Sequence, residues 1–272
     1  MLSLASMRTI HKTLRSLAFI ALSLTLVQCT ELNAGKAKQD FNNWFTDLIT
    51  PRASSLEMAN DGYIVKGNLK NKPNQVIRLF EMTAEGLVFI DSSFTDKKGD
   101  FSVKGSTKEL IFCALMVLDK QMVYLALNNA TEATLAIDAT TTGINYTITG
   151  KNVEESQSLK DLLKLNEGFS SRIKALEAEA SKLNPNTDEG FNKMQKLQAD
   201  YYANLSERAA AILSFAKARP SSFIPFFILH FNVVQEPTIE LLTVARDAAV
   251  KADPTSKYTQ MIQQKYQEEA KL

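Results

Sequence analysis

The feature that most constrains this chain is a change in the period of its apolar residues near position 150. Before it, short apolar or alternating runs recur about every 10 positions between turn residues, which is the pattern of an all-β region. Eight runs can be placed: Tyr63 to Leu69, Gln75 to Met82, Leu87 to Ser93, Asp100 to Lys104, Leu110 to Leu118, Gln121 to Leu127, Thr134 to Ile137 and Gly143 to Thr149. Asn71-Lys72-Pro73-Asn74, Ala84-Glu85-Gly86 and Asp96-Lys97-Lys98-Gly99 supply turn chemistry, so strands adjacent in sequence are expected to pair antiparallel. Residues 62–150 therefore predict a small antiparallel sandwich or partly open barrel.

After it, the spacing is helical. Leu159, Leu162, Leu163, Leu165, Phe169, Ile173 and Leu176 form a stripe that runs to about Leu183, where Asn184-Pro185-Asn186 interrupts it. A second stripe, Phe191, Met194, Leu197, Tyr201, Leu205, Ala209, Ile212 and Phe215, predicts a helix from about Thr187 to Ala218, with Thr187 and Gly190 suited to its start. The short loop between the two makes an αα-hairpin. Arg219-Pro220-Ser221-Ser222 stops that helix and opens an almost wholly apolar one over Phe223 to Phe231, with Pro225 in its first turn. Helices from about Thr238 to Lys251 and Pro254 to Ala270, the latter with Asp253 as N-cap, complete a helical domain over residues 151–272. The expected class is α+β.

The N-terminal 28 residues read as a signal peptide rather than as fold. Arg8, Lys12 and Arg15 precede an uncharged apolar run, Ser16 to Val27, that is shorter than the roughly 20 residues a membrane span needs. Leu26-Val27-Gln28-Cys29 then resembles a lipobox, in which the cysteine after the cleavage site receives a diacylglycerol; Gln28 departs from the usual small residue. We expect Cys29 to be lipidated and to become the mature N-terminus, whether translation starts at Met1 or Met7. Stable anchoring takes more than one acyl chain, which a triacylated Cys29 provides. Residues 29–61 form an entry segment in which Phe41, Trp44, Phe45, Leu48 and Ile49 mark one face of an amphipathic helix, followed by Pro51 and a linker.

Loss of three basic residues with the signal takes 31 Lys and Arg to 28, against 30 Asp and Glu. A near-neutral chain without a dense basic stretch lacks the phosphate-neutralising charge of a nucleic-acid binder. With Cys29 acylated, Cys113 is the one remaining thiol and cannot form an internal disulfide; its apolar run, Leu110 to Leu118, suits a small buried hydrophobe better than a reactive thiolate.

His230 is the single histidine beyond the signal, and one histidine cannot hold a zinc ion. Asp91, Asp96 and Asp100 do not have EF-hand spacing, and turn chemistry explains them. No GxSxG, GxxxxGK[ST] or GxGxxG occurs. These readings predict no catalytic, cofactor-binding or metal-ligating residue.

Tyr63-Ile-Val-Lys-Gly-Asn-Leu69, Ile90-Asp-Ser-Ser93 and Thr95-Asp-Lys-Lys-Gly-Asp-Phe-Ser-Val-Lys-Gly105, followed by Pro220-Ser221-Ser222 at a helix start, resemble the β-rich domain of unknown function that precedes the redoxin domain in thioredoxin-like lipoproteins of Bacteroidetes-type bacteria. The resemblance covers about residues 62 to 270. It implies an envelope location and a scaffold. Because no CxxC is present, it carries none of those relatives' redox chemistry onto this chain. The leading expectation is a non-catalytic, periplasm-facing lipoprotein, held at the outer membrane, that binds or positions another envelope protein. Thr30-Glu31-Leu32-Asn33 lacks the acidic run that resembles a surface-export signal, hence the periplasmic side. Two alternatives are an accessory subunit for a thioredoxin-like protein on a separate chain, and a small-ligand binder using the mouth of the β region.

Overall fold

The computed structural model describes residues 62–118, 121–140, 143–234 and 237–269. Cys29, the signal segment and the Phe41 to Ile49 stripe lie outside the described residues. Eight strands come first among the described residues: β1 (Tyr63–Leu69), β2 (Val76–Thr83), β3 (Gly86–Phe94), β4 (Asp100–Gly105), β5 (Ile111–Val117), β6 (Gln121–Leu127), β7 (Glu132–Ala139) and β8 (Ile144–Lys151). Five helices follow: α1 (Glu154–Ala180), α2 (Asp188–Lys217), α3 (Ile224–His230), α4 (Ile239–Ala252) and α5 (Lys257–Glu269).

The strands form two four-stranded sheets, β4-β1-β7-β8 and β3-β2-β5-β6, that make an open sandwich rather than a closed barrel. Period-two burial is plain in β7, where Ala133, Leu135, Ile137 and Ala139 are buried while the residues between them are exposed. The core between the sheets is mostly aliphatic, with Val65, Leu69, Ile77, Leu79, Leu115, Leu125, Leu135 and Ile137 closed around Tyr63.

Pairing departs from the expectation that sequence neighbours pair. β2–β3, β5–β6 and β7–β8 do so, but β1 lies between β4, antiparallel, and β7, parallel. The turns at Asn71 to Asn74 and Asp96 to Gly99 carry the chain from one sheet to the other instead of closing hairpins. Asn71, Asn74 and Gly99 adopt positive φ there. Thr95 joins the two crossings: its Oγ1 donates to Lys72 O at 2.7 Å and accepts from Gln75 N at 2.8 Å. Alternation specifies a strand's buried face, not its partner.

The second face of β3-β2-β5-β6 carries the helices. Phe112 of β5 and Ala126 of β6 join Leu159, Leu162, Ile212, Phe226, Phe227 and Ile262 in a separate, aromatic-rich cluster. The Phe112 ring lies 4.9 Å from Phe227 and 5.3 Å from Tyr258, and Phe112 N donates to Tyr258 Oη at 3.3 Å. β5 is thus buried on both faces, which is why its sequence is continuously apolar rather than alternating.

The αα-hairpin is present. Thr187 Oγ1 accepts from Gly190 N at 3.1 Å to cap α2, and a Cβ on Gly190 would meet Asn184 O at 1.9 Å. Arg208 of α2 ties its neighbours together, donating to Asn166 Oδ1 at 2.8 Å and to Val233 O at 2.7 Å. Asp253, expected to cap α5, instead closes a turn on Thr255 at 2.8 Å. The first turn of α5 is satisfied by Ser256, whose Oγ accepts from Tyr258 N at 3.2 Å, and by Glu109, whose Oε2 accepts from Lys257 N at 2.8 Å. A carboxylate from the β-strand side of the molecule reaches this helix start in space, which local sequence cannot display.

Candidate interaction strand

Three of the four strands that end the two sheets have groups arranged along them. On β6, Ser156 Oγ bonds both Ala126 N and Ala126 O at 2.9 Å. Beside β8, Gln157 Nε2 donates to Ile148 O at 3.2 Å, and Lys160 Nζ donates to Tyr146 O while lying 5.0 Å from the Tyr146 ring centroid. Burial there pushes the Tyr146 phenol up to about 12. On β4, Lys104 N donates to Asp91 Oδ2 at 2.9 Å and Ser102 N to Ser93 Oγ at 3.4 Å. Such devices keep a terminal strand from recruiting another chain.

β3 supplies two of those caps but exposes its own apolar side chains. Leu87, Val88, Phe89 and Phe94 are 44, 52, 38 and 69 % exposed, and they make up four of the nine large apolar residues exposed among those described. That concentration on one strand separates it from scattered surface leucines, which need no explanation. Registry places Leu87 beside Met82 and Phe89 beside Phe80, on the face that carries the helices. Phe89 meets Phe80 edge-on, 5.9 Å between centroids at 74°. The helical cluster covers Phe112 and Ala126 on this face and half-covers Met82 and Tyr124.

A shift of register between Leu79 and Phe80 leaves Ile90 as an extra residue in β3. A bulge of this kind breaks the even row of backbone groups that a continuous added strand requires. The strand therefore offers side chains more readily than a ladder.

The residues singled out in the sequence are used structurally. Cys113 is fully buried in the sandwich core, and burial, then the Glu81 carboxylate, push its thiol far above the ordinary range. A thiol held that way supplies no thiolate nucleophile. His230 stacks on Phe226 at 5.0 Å and meets Phe231 edge-on at 4.8 Å; desolvation, then Lys265, hold it below its usual value.

Asp91 serves β4, as described above. Asp96 Oδ1 accepts from Lys98 N at 2.7 Å and Asp100 N at 2.9 Å, and these backbone bonds, Asp100's first, lower its carboxyl. Asp100 Oδ1 accepts from Asn68 Nδ2 at 2.7 Å. All three aspartates are engaged in turn and edge chemistry, and no cluster of three or more His, Cys, Asp or Glu with metal-site geometry occurs among the described residues. Nor is any helix among them long and apolar enough to cross a membrane.

Sequence reasoning missed β3's exposure, because Leu87-Val-Phe-Ile90 reads as ordinary strand core. The one available signal was that β3 lacks the polar alternation of β7. It also missed Glu155, whose Oε2 accepts from Ser222 Oγ at 2.9 Å at the start of α3; burial raises this carboxyl above its ordinary value against the pull of Ser222 and Phe223 N. No protein-family model matches the chain, and no curated protein matches it.

Proposed function

We propose that this chain is a lipid-anchored, non-catalytic component of a bacterial cell envelope that binds or positions another envelope protein, with β3 as the contact strand. The observation that carries the partner-binding half is the concentration of exposed Leu87, Val88, Phe89 and Phe94 on one strand of a molecule whose other three terminal strands bear capping side chains. Exposed apolar residues at the centre of a contact, with polar groups around them, are what a protein interface requires. Arg78 on β2 and Ser92 on β3 are paired in register on the face that carries Leu87 and Phe89.

The anchoring half rests on Cys29 and the basic, apolar segment before it. The resemblance of residues 62 to 270 to the domain that precedes redoxins in envelope lipoproteins points the same way. A thiol as enclosed as Cys113 supports a scaffold rather than a thiol enzyme.

Two measurements test the halves separately. Mass spectrometry of the mature N-terminal peptide should find acylated Cys29, and Cys29→Ser should leave the chain uncleaved or soluble. A processed, membrane-bound Cys29→Ser protein would end the lipoprotein reading. Replacing Leu87 and Phe89 together by serine should abolish partner capture from solubilised membranes while membrane attachment persists.

A further inference from the structure

We propose that the outward face of α1 is a self-association surface on which a second copy of this chain seats its own α1 antiparallel about a two-fold axis. Gly168 sits in the middle of the 27-residue α1. A glycine there weakens a helix, so it needs a compensating reason. Among the described residues there is none: a Cβ at Gly168 would meet nothing within 4 Å, whereas at Gly67, Gly99, Gly105, Gly150 and Gly190 it would strike a neighbour. The missing side chain leaves a notch open to the outside.

Gly168 lines a shallow concavity together with Asp161, Lys164, Leu165, Phe169 and Arg172, all on α1. An isologous contact must match a surface to itself. With a two-fold axis level with the Asn166–Glu167 peptide, residues equidistant from it face each other across the pair. Asp161 then faces Arg172, and Leu165 faces the Gly168 notch. The two ends of the face thus carry opposite charge, and its middle sets a leucine against an empty site.

The charges are available for this contact. Asp161 and Lys164 have no ion-pair partner among the described residues. Arg172 holds Glu207 through NH1 at 2.9 Å, yet its side chain remains half-exposed, with further guanidinium donors to offer. The buried residues of α1 border this face: Ser156 and Leu159 turn to the sheet and the helical core, Asn166 to α2, and Phe169 lies buried with the Arg172 guanidinium 4.6 Å over its ring.

This surface is distinct from β3, and the proposal stands or falls independently of the partner reading above. The test is sedimentation of the full chain in detergent, across a concentration series, for the wild type, Asp161→Arg, Arg172→Asp and the double variant. We expect a dimer, weakened about tenfold or more by each single reversal and restored by the double, because reversal sets like charges face to face at both ends of a symmetric contact. In parallel, copies carrying Leu165→Cys and copies carrying Gly168→Cys should form a disulfide-linked pair when made together in membranes. A monomer at every concentration, a dimer indifferent to all three variants, or a double variant as weak as the singles would overturn the proposal, as would absence of the mixed disulfide in folded protein.

Discussion

β3 and β5 belong to one sheet and look alike in sequence, Gly86-Leu-Val-Phe-Ile90 against Ile111-Phe-Cys-Ala-Leu115, yet they meet opposite fates. β5 is closed on one face by the sandwich core and on the other by the helices, while β3 ends its sheet with Leu87, Val88, Phe89 and Phe94 open and only Ile90 packed against the core. Apolar content says that a strand favours burial; it does not say whether the fold supplies the cover. On β5 the chain covers itself. On β3 we assign the cover to a partner.

The largest effect should come from removing a side chain of the doubly covered β5. Phe112→Ala empties the centre of the aromatic cluster with Phe227 and Tyr258 and should cost about 3 to 5 kcal/mol in urea unfolding. A loss near that of a surface substitution would break the contrast. On the opposite face of the same strand, Cys113→Ser places an extra hydroxyl in an apolar core and should cost about 1 to 3 kcal/mol, while the native thiol should react with a thiol reagent only after unfolding. Prompt labelling of the folded chain would show that this core is not closed.

Glu155 sharpens the comparison through pH. Its carboxyl is raised in the folded state, so between the unfolded value, about 4.3, and the higher folded one, the native protein binds a proton that the unfolded chain does not. Its contribution is fully present below the unfolded value and is lost as pH rises through the folded one. The difference in unfolding free energy between wild type and Glu155→Gln should therefore change across that window and be flat above it. A difference that is flat throughout would show that the carboxyl titrates as if exposed.

The smallest stability effects belong to open positions. Leu87→Ser with Phe89→Ser should change unfolding free energy by less than about 1 kcal/mol, and Gly168→Ala should raise helix stability by roughly 0.5 to 1 kcal/mol. A large loss from the β3 pair would mean that the strand's exposed residues hold the monomer together and are not reserved for contact.

Much of the fold was legible from periodicity. β1 and β6 coincide with their predicted runs, and the αα-hairpin follows from two stripes, a capping Thr187 and an interrupting Asn184-Pro185-Asn186. The parallel β1–β7 pair was not legible, since a period of two names a face but no neighbour. Nor was the start of α5, because Glu109 reaches it from a distant part of the chain while the nearer Asp253 is committed to a turn. The candidate strand escaped because Leu87 to Ile90 has core composition, while exposure is decided by what other elements leave uncovered. The proposed anchor at Cys29 rests the other way round, on a local motif that needs no tertiary context.

The central claim is that β3 meets another envelope protein. A photo-crosslinking residue placed at Leu87 of the full chain, in membranes of the producing cell, is the sharpest test, with the same residue at the exposed Tyr202 of α2 as the control. If β3 meets a partner, position 87 yields one discrete heterologous adduct and position 202 none of that mass. No adduct at position 87, or the same adducts from both positions, would contradict it.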